Sequence, residues 1–255
     1  MDLLWLCTFA FIAGLVDAIV GGGGLIQLPA LFVFLPPELA ASVPLVFGTN
    51  KLSSMCGTSV ALIQYTRRVK IPWFSMLPAA VAAFVFAAVG ARVLQIIRND
   101  FLKPAVLVLL VAVAIYTYSR KSFGNIHAPR FMTDHERILA VAVGSAIGFY
   151  DGFFGPGTGS FLMFIFIGIF GFDFLTASAS AKAINLATNL AAVLAFAAHG
   201  FVLYNYAAPM GACNAAGAIL GARLAVLKGN RFVRGLFLCV VGVMIARFGY
   251  EQLIK

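Results

Sequence analysis

Long apolar stretches constrain this chain more than any other feature of its sequence. Residues 72–97, 104–118 and 204–227 are almost entirely apolar, and 62% of the 255 residues are hydrophobic whereas only 11% are charged. A helix needs about 20 mainly apolar residues to cross a bilayer, and several stretches reach that length. Because backbone polar groups must be satisfied within lipid, such stretches fold as transmembrane helices. We therefore expect an all-α polytopic membrane protein that is embedded in the lipid bilayer.

Two of the apolar stretches contain the same motif of glycines and one aspartate. It reads AGLVDAIVGGGGLIQLP at 13–29 and IGFYDGFFGPGTGSFLM at 147–163. Asp17 aligns with Asp151, and a glycine-rich segment follows each. Glycine has poor helix propensity and no side chain to pack, so neither helix is expected to continue smoothly through its glycines. A broken helix inside a membrane protein commonly lines a polar cavity.

The internal similarity continues along the chain at a slightly shorter offset than that of the glycine motifs. Lys51 aligns with Lys182, and the tripeptide GAR at 90–92 aligns with GAR at 221–223 at the same offset as the lysines. Self-similarity at a fixed offset indicates a duplication. The change of offset after the motifs is a small length difference in one connecting loop.

The duplication divides the chain into two homologous halves, 1–118 and 137–255, joined by the polar linker 119–136. We expect each half to begin with a glycine-broken helical hairpin and to continue with three transmembrane helices. If the hairpin enters and leaves on one face, each half crosses an odd number of times, so the halves are two inverted-topology repeats. Segment 67–70 is basic whereas its counterpart around 199–201 has no Lys or Arg, and basic loops stay cytoplasmic. This places both termini on the periplasmic side.

Inverted repeats around broken helices are typical of secondary transporters, whose substrate sites lie near the bilayer midplane. A helix N-terminus presents unpaired N–H groups and a partial positive charge, which favour an anion. The residues of the two breaks are therefore candidate substrate ligands: Gly21, Gly22, Gly23, Gly24, Gly155, Gly157, Thr158 and Gly159. The alternative is that these small residues only permit a close crossing of two helices.

Lys51 and Lys182 lie at equivalent positions inside apolar segments. An intramembrane charge costs at least roughly 2.5–3.5 kcal/mol on the insertion scale, so each lysine needs a partner. That partner is either an anionic substrate or, in a structural ion pair, Asp17 or Asp151; snorkelling to an interface is the third alternative. A lysine that substrate releases from its aspartate would couple binding to conformation.

Neutral polar residues cluster around both lysines. They are Thr49, Asn50 and Ser54 in the first half and Asn185 and Asn189 in the second. Asn and Thr can donate hydrogen bonds to an oxyanion, and the alternative is hydrogen bonding between helices. Asn214 is also an intramembrane amide, but it has no polar counterpart in the other half and is left out of the site.

The two aspartates, Asp17 and Asp151, admit two roles. Each either caps its broken helix by accepting backbone N–H bonds or carries a coupling proton. Capping is favoured, because a carboxylate beside an anion site repels substrate unless it is neutralised.

Four segments that carry these residues resemble the sulfite exporter TauE/SafE family of bacterial inner-membrane proteins, in particular its YfcA-like branch. They read VDAIVGGGGLIQLP at 16–29, GTNKLSS at 48–54, GFYDGFFGPGTGSF at 148–161 and AKAINLATNLAA at 181–192. The resemblance covers nearly the whole chain. It implies a permease of the bacterial inner membrane for small anions, with sulfur-containing oxyanions, sulfonates and related organic anions as the substrate class.

Other functions share some of these features. A channel would share most of them, but two inverted halves that each contain a broken helix favour alternating access over an open pore. An integral membrane enzyme would need a nucleophile with its base, an acid pair or a metal, and no such arrangement is evident; a partner subunit without transport stays open. We expect no cofactor or metal, because the His and Cys spacings match no ligand pattern. Nucleic acid is not an expected partner, whereas a homo-oligomer is compatible with the sequence, as is any coupling ion.

Overall fold

A computed structural model of the chain describes residues 2–96, 128 and 133–253. Every regular element within these residues is an α-helix, which confirms the all-α class. In chain order the helices are α1 (Asp2–Val20), α2 (Gly24–Phe34), α3 (Pro37–Ala40), α4 (Val43–Thr66), α5 (Trp73–Leu94), α6 (Thr133–Phe153), α7 (Thr158–Gly168), α8 (Phe174–Ala197) and α9 (Tyr204–Leu253).

Four of the described helices are long and apolar enough to cross a membrane: α1, α5, α8 and residues 204–239 of α9. The chain is therefore a multi-pass membrane protein. The apolar segment 104–118, the third span expected in the first half, lies outside the described residues. So does most of the linker, although residues 133–136 form the first turn of α6.

Both glycine motifs break their helices as predicted. The first break separates α1 from α2 and contains Gly21 (φ 74°) and Gly22 (φ 89°), while the second separates α6 from α7 and contains Gly155 (φ 83°) and Gly157 (φ 85°). These left-handed conformations are strained for any residue with a side chain. Helices α2 and α7 each have 11 residues and rise about 16 Å, roughly half the hydrocarbon thickness.

A third glycine divides the last helix. Gly229 has φ 70° and ψ −169° inside α9, which separates residues 204–228 from residues 230–253. The second half therefore has α8 and two parts of α9 after its broken hairpin, where we expected three transmembrane helices.

The two most extensive helix packings join different halves, α1 with α9 and α5 with α6. Backbone approaches backbone in both. A Cβ at Gly148 of α6 would lie 2.5 Å from the Ala83 carbonyl oxygen of α5, and a Cβ at Gly217 of α9 would lie 2.0 Å from the Phe11 carbonyl oxygen of α1. Small residues permit this close packing, so each broken hairpin is held by a helix of the other half.

Candidate substrate cavity

The two glycine breaks contact each other. A Cβ at Gly21 would lie 2.4 Å from the backbone of Gly159, and a Cβ at Gly159 would lie 2.6 Å from the Gly21 Cα. No side chain fits between them. The two glycines therefore permit a close crossing, which brings the N-terminus of α7 against the first break.

A small cavity lies beside this crossing, with a volume of about 40 Å³. One water needs roughly 10–15 Å³ on this measure, so the cavity has room for a few waters or one small ion. The first half contributes Asp17, Gly22, Gly24, Leu28, Phe47, Asn50, Lys51, Ser54 and Thr58, and the second contributes Asp151, Phe154, Gly155, Gly157, Thr158, Gly159, Asn185 and Asn189. Most of the predicted ligands thus come together around one space.

Four predicted ligands do not line the cavity, and each has another contact. Gly21 packs on Gly159, and the Gly23 amide donates to Asp17 Oδ1 at 3.2 Å. Thr49 Oγ1 donates to the Leu45 carbonyl at 2.7 Å and accepts from the Leu203 amide at 3.0 Å. Lys182 is fully buried and bonds an aspartate.

The two intramembrane lysines form ion pairs that join the halves. Lys51 Nζ lies 2.8 Å from Asp151 Oδ2, and Lys182 Nζ lies 2.7 Å from Asp17 Oδ2. Each pair therefore takes its lysine from one half and its aspartate from the other. Both lysines therefore form the ion pairs given above as one alternative. Of the two, Lys51 lines the cavity and Lys182 does not.

The two aspartates differ in the group that hydrogen-bonds their second carboxylate oxygen, Oδ1. Asp17 Oδ1 accepts from the Gly23 amide, so Asp17 caps the first break as favoured above. Asp151 Oδ1 instead lies 2.7 Å from Thr158 Oγ1, which is also 2.7 Å from the Gly155 carbonyl oxygen. Asp151 is therefore held by an ion pair and one hydroxyl.

The two half-helices begin at glycines and leave several amides unpaired. The residues at their N-caps are Gly23 for α2 and Gly157 for α7, which have no side chain to cap a helix, and of these two starts the one at α2 receives the bond from Gly23 N–H to Asp17 Oδ1. Within the described part of the chain, the amides of Gly22, Gly24 and Gly159 donate to no protein acceptor. Because Gly22, Gly24, Gly157 and Gly159 line the cavity, the positive ends of two helices contribute to its lining.

Two asparagines add unused hydrogen-bonding capacity. Asn50 and Asn185 line the cavity, and their Oδ1 atoms are buried without a partner among the described residues. An amide side chain can donate two hydrogen bonds and accept others. The unsatisfied atoms are acceptors and suit a donor such as water, so it is the Nδ2 groups of these asparagines that could donate to an anion.

Thr58 lines the cavity but was not predicted as a ligand. The duplication contains the signal that could have found it: at the offset that aligns Lys51 with Lys182, Thr58 aligns with Asn189, and Ser54 aligns with Asn185. All four of these neutral polar residues line the cavity. Aligned pairs of polar residues on α4 and α8 thus face the same space.

Hydroxyl groups fix the C-terminal end of α1. Tyr65 Oη donates to the Ala18 carbonyl at 2.8 Å, Ser178 Oγ to the Ile19 carbonyl at 3.1 Å and Ser160 Oγ to the Val20 carbonyl at 3.2 Å. These bonds satisfy carbonyls that a helix leaves unpaired at its end. Two of the three donors belong to the other half.

The aligned residues of the second break are apolar. Phe196 aligns with Tyr65, Phe47 with Ser178 and Ile26 with Ser160. These positions therefore cannot give the C-terminal end of α6 the hydroxyl bonds that fix the end of α1. The second break has its own hydroxyl bonds instead, from Tyr150 Oη to the Pro156 carbonyl at 2.6 Å and from Thr158 Oγ1 to the Gly155 carbonyl at 2.7 Å.

Comparison with known proteins agrees with this architecture. The profile of the sulfite exporter TauE/SafE family matches residues 6–248. A probable membrane transporter protein of Sinorhizobium is 36% identical over 244 residues, which cover 96% of this chain and 90% of the relative. No solved structure gives a significant match.

Two further relatives have the same kind of name. A probable membrane transporter protein of Haemophilus influenzae is 32% identical, with 99% of this chain and 96% of the relative covered. The probable membrane transporter protein YfcA of Escherichia coli is 31% identical, with 95% and 88% covered. We conclude that the chain belongs to the sulfite exporter TauE/SafE family, a family of probable membrane transporters.

Proposed function

We propose that this protein is a secondary transporter for small anions that works by alternating access around the cavity between the two broken helices. One observation carries the proposal: the N-terminal ends of α2 and α7 and the amino group of Lys51 converge on one small cavity. Each of these features stabilises negative charge. The asparagine, serine and threonine side chains around them offer the hydrogen bonds that an anion needs when it leaves water.

The size of the cavity and the family support a narrow class of anion. A volume of about 40 Å³ suits a compact ion rather than a bulky organic molecule. The family that matches is described as sulfite exporters. The proposed substrates are therefore sulfur-containing oxyanions, sulfonates and related small organic anions, bound by Lys51, Ser54, Thr58, Asn50, Asn185, Asn189 and the backbone of the two glycine breaks.

The proposed cycle uses the two halves as inverted repeats in the bacterial inner membrane, with both termini on the periplasmic side. The pairing of α1 with α9 and of α5 with α6 supports it, because each broken hairpin can then move with a helix of the other half. Inverted repeats of this kind alternate access by rocking one unit against another.

Flux through liposomes tests the proposal. The purified full chain is reconstituted, and uptake of sulfite, thiosulfate and methanesulfonate is measured, with chloride and nitrate for comparison. We expect saturable uptake of at least one sulfur anion, and at least a tenfold loss in Lys51→Ala. Lys228→Ala removes a cation that lies over the Phe232 ring, away from the cavity, and should transport like the parent protein. Vesicles that stay impermeable to the whole panel would overturn the proposal.

A further inference from the structure

We propose that the protein moves its anion together with one proton, and that Asp151 carries this proton. The inference rests on the proposed anion transport and adds its coupling ion. It follows from the charge balance of the cavity and from the different access of the two ion pairs.

The ionised groups at the cavity cancel. Among the described residues, Lys51 pairs with Asp151 and Lys182 pairs with Asp17, so two positive and two negative charges balance at the site. The Asp17 side chain is 20% exposed and the other three are at most 5% exposed. A monoanion added to this set leaves one uncompensated negative charge in a low-dielectric region, which is strongly unfavourable. One proton bound together with the anion restores neutrality.

The anion and Asp151 compete for one ammonium group. Lys51 is the lysine that lines the cavity, and its Nζ is bonded to Asp151 Oδ2 at 2.8 Å. An anion that bonds Lys51 Nζ takes the place of this carboxylate oxygen. Asp151 is only 4% exposed and cannot move into water.

Protonation of Asp151 allows the anion to take its place on Lys51. When the anion takes Lys51, Asp151 Oδ2 forms an O–H bond with a proton from water, while Oδ1 keeps the Thr158 hydroxyl at 2.7 Å. When the anion leaves, Lys51 returns to Asp151 and the proton returns to water. No bond of the anion breaks. Because the proton is bound only while the anion is bound, the two move in the same direction.

The second ion pair is placed for a structural role. The Lys182 side chain is 1% exposed and does not line the cavity, so an anion there has no direct access to its ammonium group. Asp17 also accepts from the Gly23 amide. The hydroxyl bonds from Tyr65, Ser178 and Ser160 also hold the end of α1 beside this pair.

Within the described ranges, few other ionisable groups face Asp151. Lys51 approaches it from α4, and across the cavity Asp17 on α1 is already neutralised by Lys182 on α8. On its own helix, Tyr150 Oη donates to the Pro156 carbonyl at 2.6 Å. Helix α5 packs on α6 through Ala83, Ala87 and Gly90, which carry no charge. Lys51 is therefore the group whose loss leaves Asp151 in need of a proton.

Accumulation against a gradient tests the coupling. Liposomes that contain the full chain are clamped at zero membrane potential with potassium and valinomycin, and the outside is made one pH unit more acidic than the lumen. Methanesulfonate is the probe. It is a monoanion and stays fully ionised at the working pH, so a proton that moves with it must be carried by the protein. A pH-sensitive dye in the lumen reports proton entry.

We expect the anion to accumulate about tenfold inside, because one proton per anion converts one pH unit into a tenfold ratio. The dye should show one proton entering per anion. Asp151→Asn should remove this accumulation, whereas the flux that remains in Asp17→Asn should still reach the tenfold ratio. If Asp151→Asn does not fold, the proton count of the parent protein decides. Anion that equilibrates to a ratio of one without proton entry would overturn the coupling and leave the transporter proposal intact. An absence of any uptake would overturn the transporter proposal itself.

Discussion

Lys51 of the first half bonds Asp151 of the second, with 2.8 Å between Nζ and Oδ2, and both side chains are about 95% buried. The aligned lysine and aspartate form the reciprocal pair, so the two ion pairs cross between the halves. The two pairs align in sequence but differ in their position relative to the cavity. Lys51 and Asp151 both line the cavity, whereas of the second pair only Asp17 does.

Loss of one partner of the Lys51–Asp151 pair should destabilise the fold. Lys51→Met leaves Asp151 buried without its cation, which costs about 3–5 kcal/mol of unfolding free energy. Adding Asp151→Leu should recover most of that loss, because neither buried charge remains, while transport stays abolished. Thermal unfolding of the detergent-solubilised variants measures both effects. A Lys51→Met variant that unfolds at the parent temperature would show that the pair does not stabilise the fold.

The crossing of the two breaks should reject even one methyl group. Gly21→Ala puts a Cβ 2.4 Å from the Gly159 backbone at a residue with φ 74°, and we expect a loss of about 2 kcal/mol or more. The matched control is Gly235→Ala, where nothing lies within 4 Å and the residue is helical. That change should be neutral or slightly stabilising. Equal unfolding temperatures for the two variants would argue against the close crossing.

Thr58 should contribute to anion affinity through its hydroxyl. Thr58→Val keeps the shape but removes a hydrogen bond to a charged ligand, which is worth roughly 1.5 kcal/mol, or about tenfold in affinity. Ser59→Ala is the neighbouring control, because Ser59 Oγ donates to the Met55 carbonyl at 2.7 Å and does not line the cavity. The concentration that gives half-maximal uptake measures the change. An unchanged value in Thr58→Val would remove Thr58 from the site.

Much of this arrangement follows from local sequence. Glycine runs inside apolar segments predict helix breaks, because glycine tolerates the left-handed conformations that Gly21 and Gly155 adopt. The duplication also predicts that Lys51 and Lys182 have equivalent roles, and each needs a partner because a charge inside a membrane is costly.

The choice of partners depends on packing that no single segment specifies. Sequence offset alone does not say whether Lys51 bonds the aspartate of its own half or of the other. It also does not reveal that Lys182 is sealed from the cavity while Lys51 borders it, because that difference arises from helices distant in sequence. Asn214 illustrates the same limit: its side chain donates to Gln27 Oε1 at 2.8 Å, a helix contact between the halves.

The affinity of the cavity for its anion tests the central claim most directly, because binding isolates the site from the conformational cycle. Calorimetric titration of the solubilised protein with the transported sulfur anion compares the parent chain with Asn185→Asp and Asn185→Ser. Asn185→Asp adds a carboxylate to the cavity, and its repulsion should weaken binding at least tenfold, or about 1.4 kcal/mol. Asn185→Ser introduces the side chain of the aligned Ser54 and should stay within about threefold of the parent, roughly 0.7 kcal/mol. Equal affinity in the parent and Asn185→Asp would contradict the assignment of this cavity as the anion site.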